Sequence, residues 1–80
     1  MTNWNTYIVS DKDVLLGKPC VKGTRLSVEF ILKLLANGWS EEQILKNYPR
    51  LSKAALQAVF AYAYECMADG LLFTFESQAA

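Results

Sequence analysis

Residues 39–52 read Trp-Ser-Glu-Glu-Gln-Ile-Leu-Lys-Asn-Tyr-Pro-Arg-Leu-Ser, and they punctuate the chain more sharply than any other stretch. Ser40 to Gln43 form a capping box, in which the Gln43 side chain reaches back to the Ser40 backbone N–H. Trp39 before the cap and Ile44 at the fourth helical position make a hydrophobic staple, and Glu41 and Glu42 sit where the helix dipole favours anions. Pro49 ends this helix near Tyr48. Ser52 then caps a third helix at once, with Leu51 and Leu56 as a second staple.

Working outward, the upstream segment has helical periodicity. Val28, Ile31, Leu32 and Leu35 fall at i, i+3, i+4 and i+7, with Phe30 and Leu34 widening the stripe. Ser27 is its predicted cap and Asn37-Gly38 its stop. Downstream, Leu56, Val59, Phe60, Ala63 and Met67 trace one face as far as Asp69, and Gly70 can terminate the helix. Periodicity and stapling aim Leu35, Trp39, Ile44, Leu56 and Phe60 into a common core. The first 26 residues predict a β-rich or irregular arm. Tyr7 to Val9 and Val14 to Leu16 are short apolar runs, and Lys22-Gly23-Thr24 is a turn between extended pieces. Leu71 to Phe75 reads as a C-terminal strand.

The expected fold is therefore mostly α with short β segments, one domain over 1–80. It has an N-terminal β-arm (1–26), a three-helix core (27–70), and a short C-terminal strand and tail (71–80). Two helices joined by Tyr48 to Ser52 behind a first helix fit a helix-turn-helix domain of homeodomain-like or winged-helix-like type. The same spacing fits a small helical bundle with no role on DNA.

Composition bounds the function. Eighty residues with 52% apolar side chains form a small domain, in which folding buries only about 60% of the unfolded surface. Apolar excess on so small a domain points to an interface, and a homodimer is expected. Neither the arm nor the C-terminal strand finds enough strand partners in one chain, so Tyr7, Val9, Leu71, Phe73 and Phe75 are the expected dimer contacts. Eight basic and eight acidic residues cancel, which argues against a free-standing nucleic-acid binder. Their placement is uneven, however. Lys18, Lys22 and Arg25 cluster early, Lys46, Arg50 and Lys53 in the middle, and acids at the end.

The cluster Gly17-Lys18-Pro19-Cys20-Val21-Lys22-Gly23-Thr24-Arg25 has the look of a phosphate loop but fails as one. Lys12 stands where the Walker pattern needs its first glycine, and Pro19 removes an N–H that the cradle requires. Catalysis lacks its usual base, since the chain has no histidine, and an enzyme is not expected. Cys20 lies between lysines that could activate a thiol, yet a buried structural role suits it better. Two cysteines supply neither a disulfide scaffold nor metal-ligand spacing, so no metal or cofactor is expected. With no signal peptide and no apolar run near eighteen residues, the expected location is the cytoplasm, away from membranes.

The run from Gly17 to Ala63 resembles the bacterial family known as domain of unknown function 433. Its pattern is Gly-Lys-Pro, two hydrophobics, Lys-Gly-Thr-Arg, a helix, Gly, a Ser-capped helix, then Tyr-Pro-x-Leu. Gly17, Lys18, Pro19, Lys22 to Arg25, Val28, Gly38, Tyr48, Pro49 and Leu51 match it. Leu16 stands where a second glycine is common, and Ser27 where proline is. The resemblance implies a helix-turn-helix fold and the antitoxin of a VapB-type pair, binding operator DNA, a PIN-like toxin, or both. An interaction module that does not touch DNA is the alternative, because the third helix offers only Lys53 and Gln57 for reading bases. The contact residues expected for DNA or a partner are Lys18, Lys22, Arg25, Arg50, Lys53 and Gln57. Of these, Arg25 is expected to pair with Glu29 or a C-terminal acid. Lys18 and Lys22 are expected to lie exposed without a near partner.

Overall fold

A computed structural model describes residues 3–69, so the expected strand over 71–75 lies outside the described residues. Three helices follow an irregular arm: α1 (Val28–Ala36), α2 (Glu41–Asn47) and α3 (Lys53–Ala68). Each begins where a serine hydroxyl can accept an orphan amide. Ser27 accepts from the Phe30 N–H, Ser40 from Gln43 and Ser52 from Ala55. The capping box is complete, with the Ser40 N–H donating to Gln43 Oε1 at 2.8 Å. Helix α1 stops in a Schellman arrangement. The Trp39 N–H donates to the Leu34 carbonyl and the Gly38 N–H to Leu35, with Gly38 at φ +93°.

In the arm, β1 (Ile8–Val9) pairs antiparallel with β2 (Cys20–Val21), Ile8 opposite Val21 and Val9 opposite Cys20. A bridge from Cys20 to Ser27 and a bond from the Val28 N–H to the Pro19 carbonyl tie this ribbon to the start of α1. The ribbon therefore finds its strand partner within one chain, so strand pairing alone does not require a second copy. A 3-10 turn at Trp4–Thr6 then lays the arm on α3. The Trp4 and Tyr62 rings meet edge-on at 4.8 Å, and Trp4 Nε1 donates to Glu65 Oε2 at 2.6 Å.

Ile8, Val21, Val28, Ile31, Leu34, Ile44, Leu51, Leu56 and Val59 form one core with Ala55 and Ala58. Two expectations need correcting. Leu35, Trp39 and Phe60 pack against this core but are only half-buried, while Ile44 and Leu56 are fully enclosed. The buried face of α3 is turned toward Ala55, Ala58 and Ala61, and Met67 is exposed. Alanines let neighbouring backbone approach closely, so they define the packed face although they carry little apolar area.

Val14 to Leu16 is the second correction. It is not extended. Leu15, Leu16 and Gly17 have φ of +51°, +57° and +85°, a left-handed turn closed by Gly17 N–H to Val14 and Lys18 N–H to Leu15. Leucine adopts this region rarely, because its Cβ crowds the following carbonyl. Leu16 is also 94% exposed.

Candidate functional site: a two-arginine groove at the helix corner

The turn from Val21 to Leu26 is closed internally. The Thr24 hydroxyl donates to the Val21 carbonyl at 2.7 Å and accepts from the Leu26 N–H at 3.1 Å, and the Val21 N–H donates to Leu26 at 2.9 Å. Gly23 supplies the required left-handed residue at φ +81°. The turn's polar groups satisfy one another, leaving Lys22 and Arg25 exposed.

Across from it stands the corner between α2 and α3. Tyr48 is pinned there by aromatic neighbours: Phe30 of α1 meets it edge-on at 5.9 Å, and Trp39 lies tilted at 6.5 Å. The Leu51 N–H donates to the Tyr48 carbonyl at 2.9 Å, which tightens the corner around Pro49 and Arg50. Turn and corner enclose an open groove of about 680 Å³, lined by Val14, Gly23 to Leu26 and Asn47 to Arg50. Arg25 and Arg50 both line it, and among the described residues no carboxylate does. Two guanidinium groups with no carboxylate beside them among the described groove residues create a local positive field on a chain of zero net charge.

The six expected contact residues do not form one cluster. Arg25 and Arg50 share the groove; Lys22 projects from the same turn as Arg25. Lys53 and Gln57 are exposed one turn apart at the start of α3, immediately after the corner, with Ala54 exposed between them. Lys18 lies apart from these. Its Nζ pairs with Glu29 Oε1 at 3.0 Å, so the expected Arg25–Glu29 pair is replaced by Lys18–Glu29, and Lys18 does have a near partner. Both side chains of that pair remain largely in water. Of the expected dimer contacts, Tyr7 is half-buried against the core and Val9 half-buried in β1, while Leu71, Phe73 and Phe75 lie outside the described residues.

Sequence reasoning missed the groove's uncharged lining: Val14, Thr24, Leu26, Asn47 and Tyr48. Two signals lay in plain view, the Lys-Gly-Thr-Arg and Tyr-Pro-x-Leu motifs. Nothing local to either one indicates that they face each other.

A second groove, of about 330 Å³, lies between α1 and the C-terminal half of α3, lined by Pro19, Val28, Glu29, Leu32, Tyr62, Ala63 and Cys66. Its walls are almost wholly apolar. Burial raises the Tyr62 phenol above its ordinary value of 10.0, and the adjacent Cys66 thiol adds to the shift. Cys20, by contrast, is buried in β2 away from solvent. Among the described residues no helix is long and apolar enough to cross a membrane.

The family model described as "Protein of unknown function (DUF433)" matches residues 8–63, well over half of the 80-residue chain, and the protein belongs to that family. No curated protein and no solved structure matches it.

Proposed function

We propose that this DUF433 protein is a non-enzymatic, dimeric helix-turn-helix antitoxin that holds DNA through the two-arginine groove and the start of α3. The observation carrying this reading is the meeting of Arg25 and Arg50 across one groove directly before the α3 N-terminus. In a helix-turn-helix complex the second helix enters the major groove by its N-terminal residues, and flanking cations hold the backbone. Arg25, Arg50 and Lys22 supply the phosphate contacts; Lys53 and Gln57 are the exposed side chains that can reach base edges. Two such residues beside Ala54 give little direct readout. Backbone contact therefore dominates, and affinity depends steeply on salt while varying little with sequence.

A second reading rests on a specific feature of the same groove. Val14, Leu26, Tyr48 and Pro49 give it apolar walls, which suit an acidic segment of a protein partner such as a PIN-like toxin. Salt-dependent titration of a labelled duplex separates the two. Arg25→Ala with Arg50→Ala should flatten the slope of log affinity against log salt by about 2, with unchanged thermal stability. No DNA binding by the wild type at low salt would leave the protein-partner reading.

A further inference from the structure

Helices α1 and α3 end with nearly the same backbone. The residue after α1, Asn37, has φ −88° and ψ 9°, and the residue after α3, Asp69, has φ −84° and ψ 0°. Each donates its N–H four residues back, Asn37 to Lys33 and Asp69 to Glu65. The likeness continues in the sequence, where each is followed by glycine and a large apolar residue: Asn37-Gly38-Trp39 and Asp69-Gly70-Leu71. After α1 these residues close a Schellman turn, the Trp39 N–H returning to the Leu34 carbonyl, and Trp39 packs against the core to which Leu34 belongs.

The same turn after α3 would return Leu71 to Cys66, which is third from the end of its helix as Leu34 is of α1. Schellman turns commonly bring those two side chains into apolar contact. Cys66 is a wall of the α1–α3 groove, with Tyr62 one turn before it and Val28 and Leu32 contributed by α1. The cap therefore aims the chain at an apolar recess and not into water. Residues 70–80 lie outside the described residues, and the first of them, Gly70-Leu71-Leu72-Phe73-Thr74-Phe75, carry no charge. Their length suits the path. Tyr62 stands about 10 Å back along α3 from Asp69 at the helical rise per residue, and five extended residues span about 17 Å.

We propose that residues 71–75 fold back over the α1–α3 groove of their own chain, with Leu71 on Cys66 and Phe73 against Tyr62 and Leu32. The occupant is this segment because the cap that turns it belongs to the helix forming one wall of the groove. A short tether also holds it there at an effective concentration of about millimolar, which a free partner or a second copy must exceed. Charge agrees: Glu29, the one acid among the described lining residues, is already paired with Lys18. The inference is separate from the DNA reading, and it places Leu71 and Phe73, expected as dimer contacts, within one chain.

Isotope-edited NMR on the full chain tests it. NOEs from the Phe73 ring to the Val28 and Leu32 methyls are expected, and a mixture of labelled and unlabelled protein should show none between chains. Thiol labelling gives a second readout. In Leu71→Asp, Cys66 should react at least about tenfold faster than in the wild type, since burying one leucine shifts the closed-to-open ratio by that much. Gly70→Val leaves the apolar segment intact but resists the left-handed turn, and should quicken Cys66 in the same direction. Cys20, buried in β2, should stay slow throughout, which separates release of the segment from unfolding of the domain. Should Cys20 quicken too, the variant has unfolded and the wild-type NOEs alone decide. Absence of those NOEs overturns the inference, as does a Cys66 rate unchanged in both variants. NOEs that cross between chains overturn it in favour of a second copy's segment.

Discussion

The two grooves are built from the same arm and both have apolar walls, yet they differ in charge. The corner groove takes Gly23 to Leu26 from the arm and carries two guanidinium groups with no carboxylate among the described residues. The α1–α3 groove takes Pro19 and is apolar, and Glu29, the one acid among its described lining residues, is already paired with Lys18. A nine-residue loop thus sends Arg25 to one surface and Lys18 to another. Clustering in sequence is therefore a poor guide to clustering in space: three cations spanning Lys18 to Arg25 do not make one patch. A ligand held by the arginine pair would be sensitive to salt, and one held in the α1–α3 groove to apolar substitution.

The largest expected effect is one that should not distinguish the grooves. Leu56 is fully buried between the helices that carry both, and Leu56→Ala should cost roughly 2–5 kcal/mol in denaturant unfolding. DNA binding and the protection of Cys66 should then decline together. A loss under about 1 kcal/mol would mean that α3 is not seated as described.

Next comes the Ser52 cap, which starts α3 beside the corner groove. Ser52→Ala leaves the Ala55 N–H without its acceptor and should cost about 1 kcal/mol. Because fraying there disturbs Lys53 and Arg50 first, DNA affinity should fall more than the protection of Cys66 does. Equal losses in the two assays would break the asymmetry.

Leu16→Gly should act in the other direction. Relieving the left-handed leucine gains part of a strain of about 1–2 kcal/mol, offset by glycine's greater freedom when unfolded. A net gain of about 0.5–1 kcal/mol in chemical denaturation of the monomer is expected, since a side chain this exposed contributes little packing. Loss of stability would show that the leucine is held by contacts within its own chain.

The smallest effect belongs to Lys18→Ala. An ion pair exposed on both sides is worth less than about 0.5 kcal/mol. Lys18 is also engaged with Glu29 and does not line the corner groove, so the salt slope of DNA binding should barely move. A drop of a full unit would put Lys18 back among the phosphate contacts.

The helical half was far more legible in the sequence than the arm, for a physical reason. Caps act over three or four residues, so Ser40, Gln43 and Ser52 announce their helices wherever the rest of the chain goes. The Gly38 stop works the same way. The left-handed turn was hidden because a leucine carries no local sign that its backbone must adopt positive φ. Family resemblance did mark position 16 as one where glycine is common, and the structure supplies the reason. The packed face of α3 was misplaced because alanine has little apolar area to flag, although its small size permits close approach at Ala55 and Ala58. The sequence marks Arg25 and Arg50 as contact residues, but their convergence depends on how the arm docks, and no local spacing encodes that.

Residue-resolved NMR during titration with a short duplex at low salt tests the central claim most directly. The account predicts amide shifts over Lys22 to Arg25 and from Arg50 through Gln57, with Val28, Leu32, Ala63 and Cys66 unmoved. Shifts concentrated on those last four residues, or no shifts at all, would contradict it.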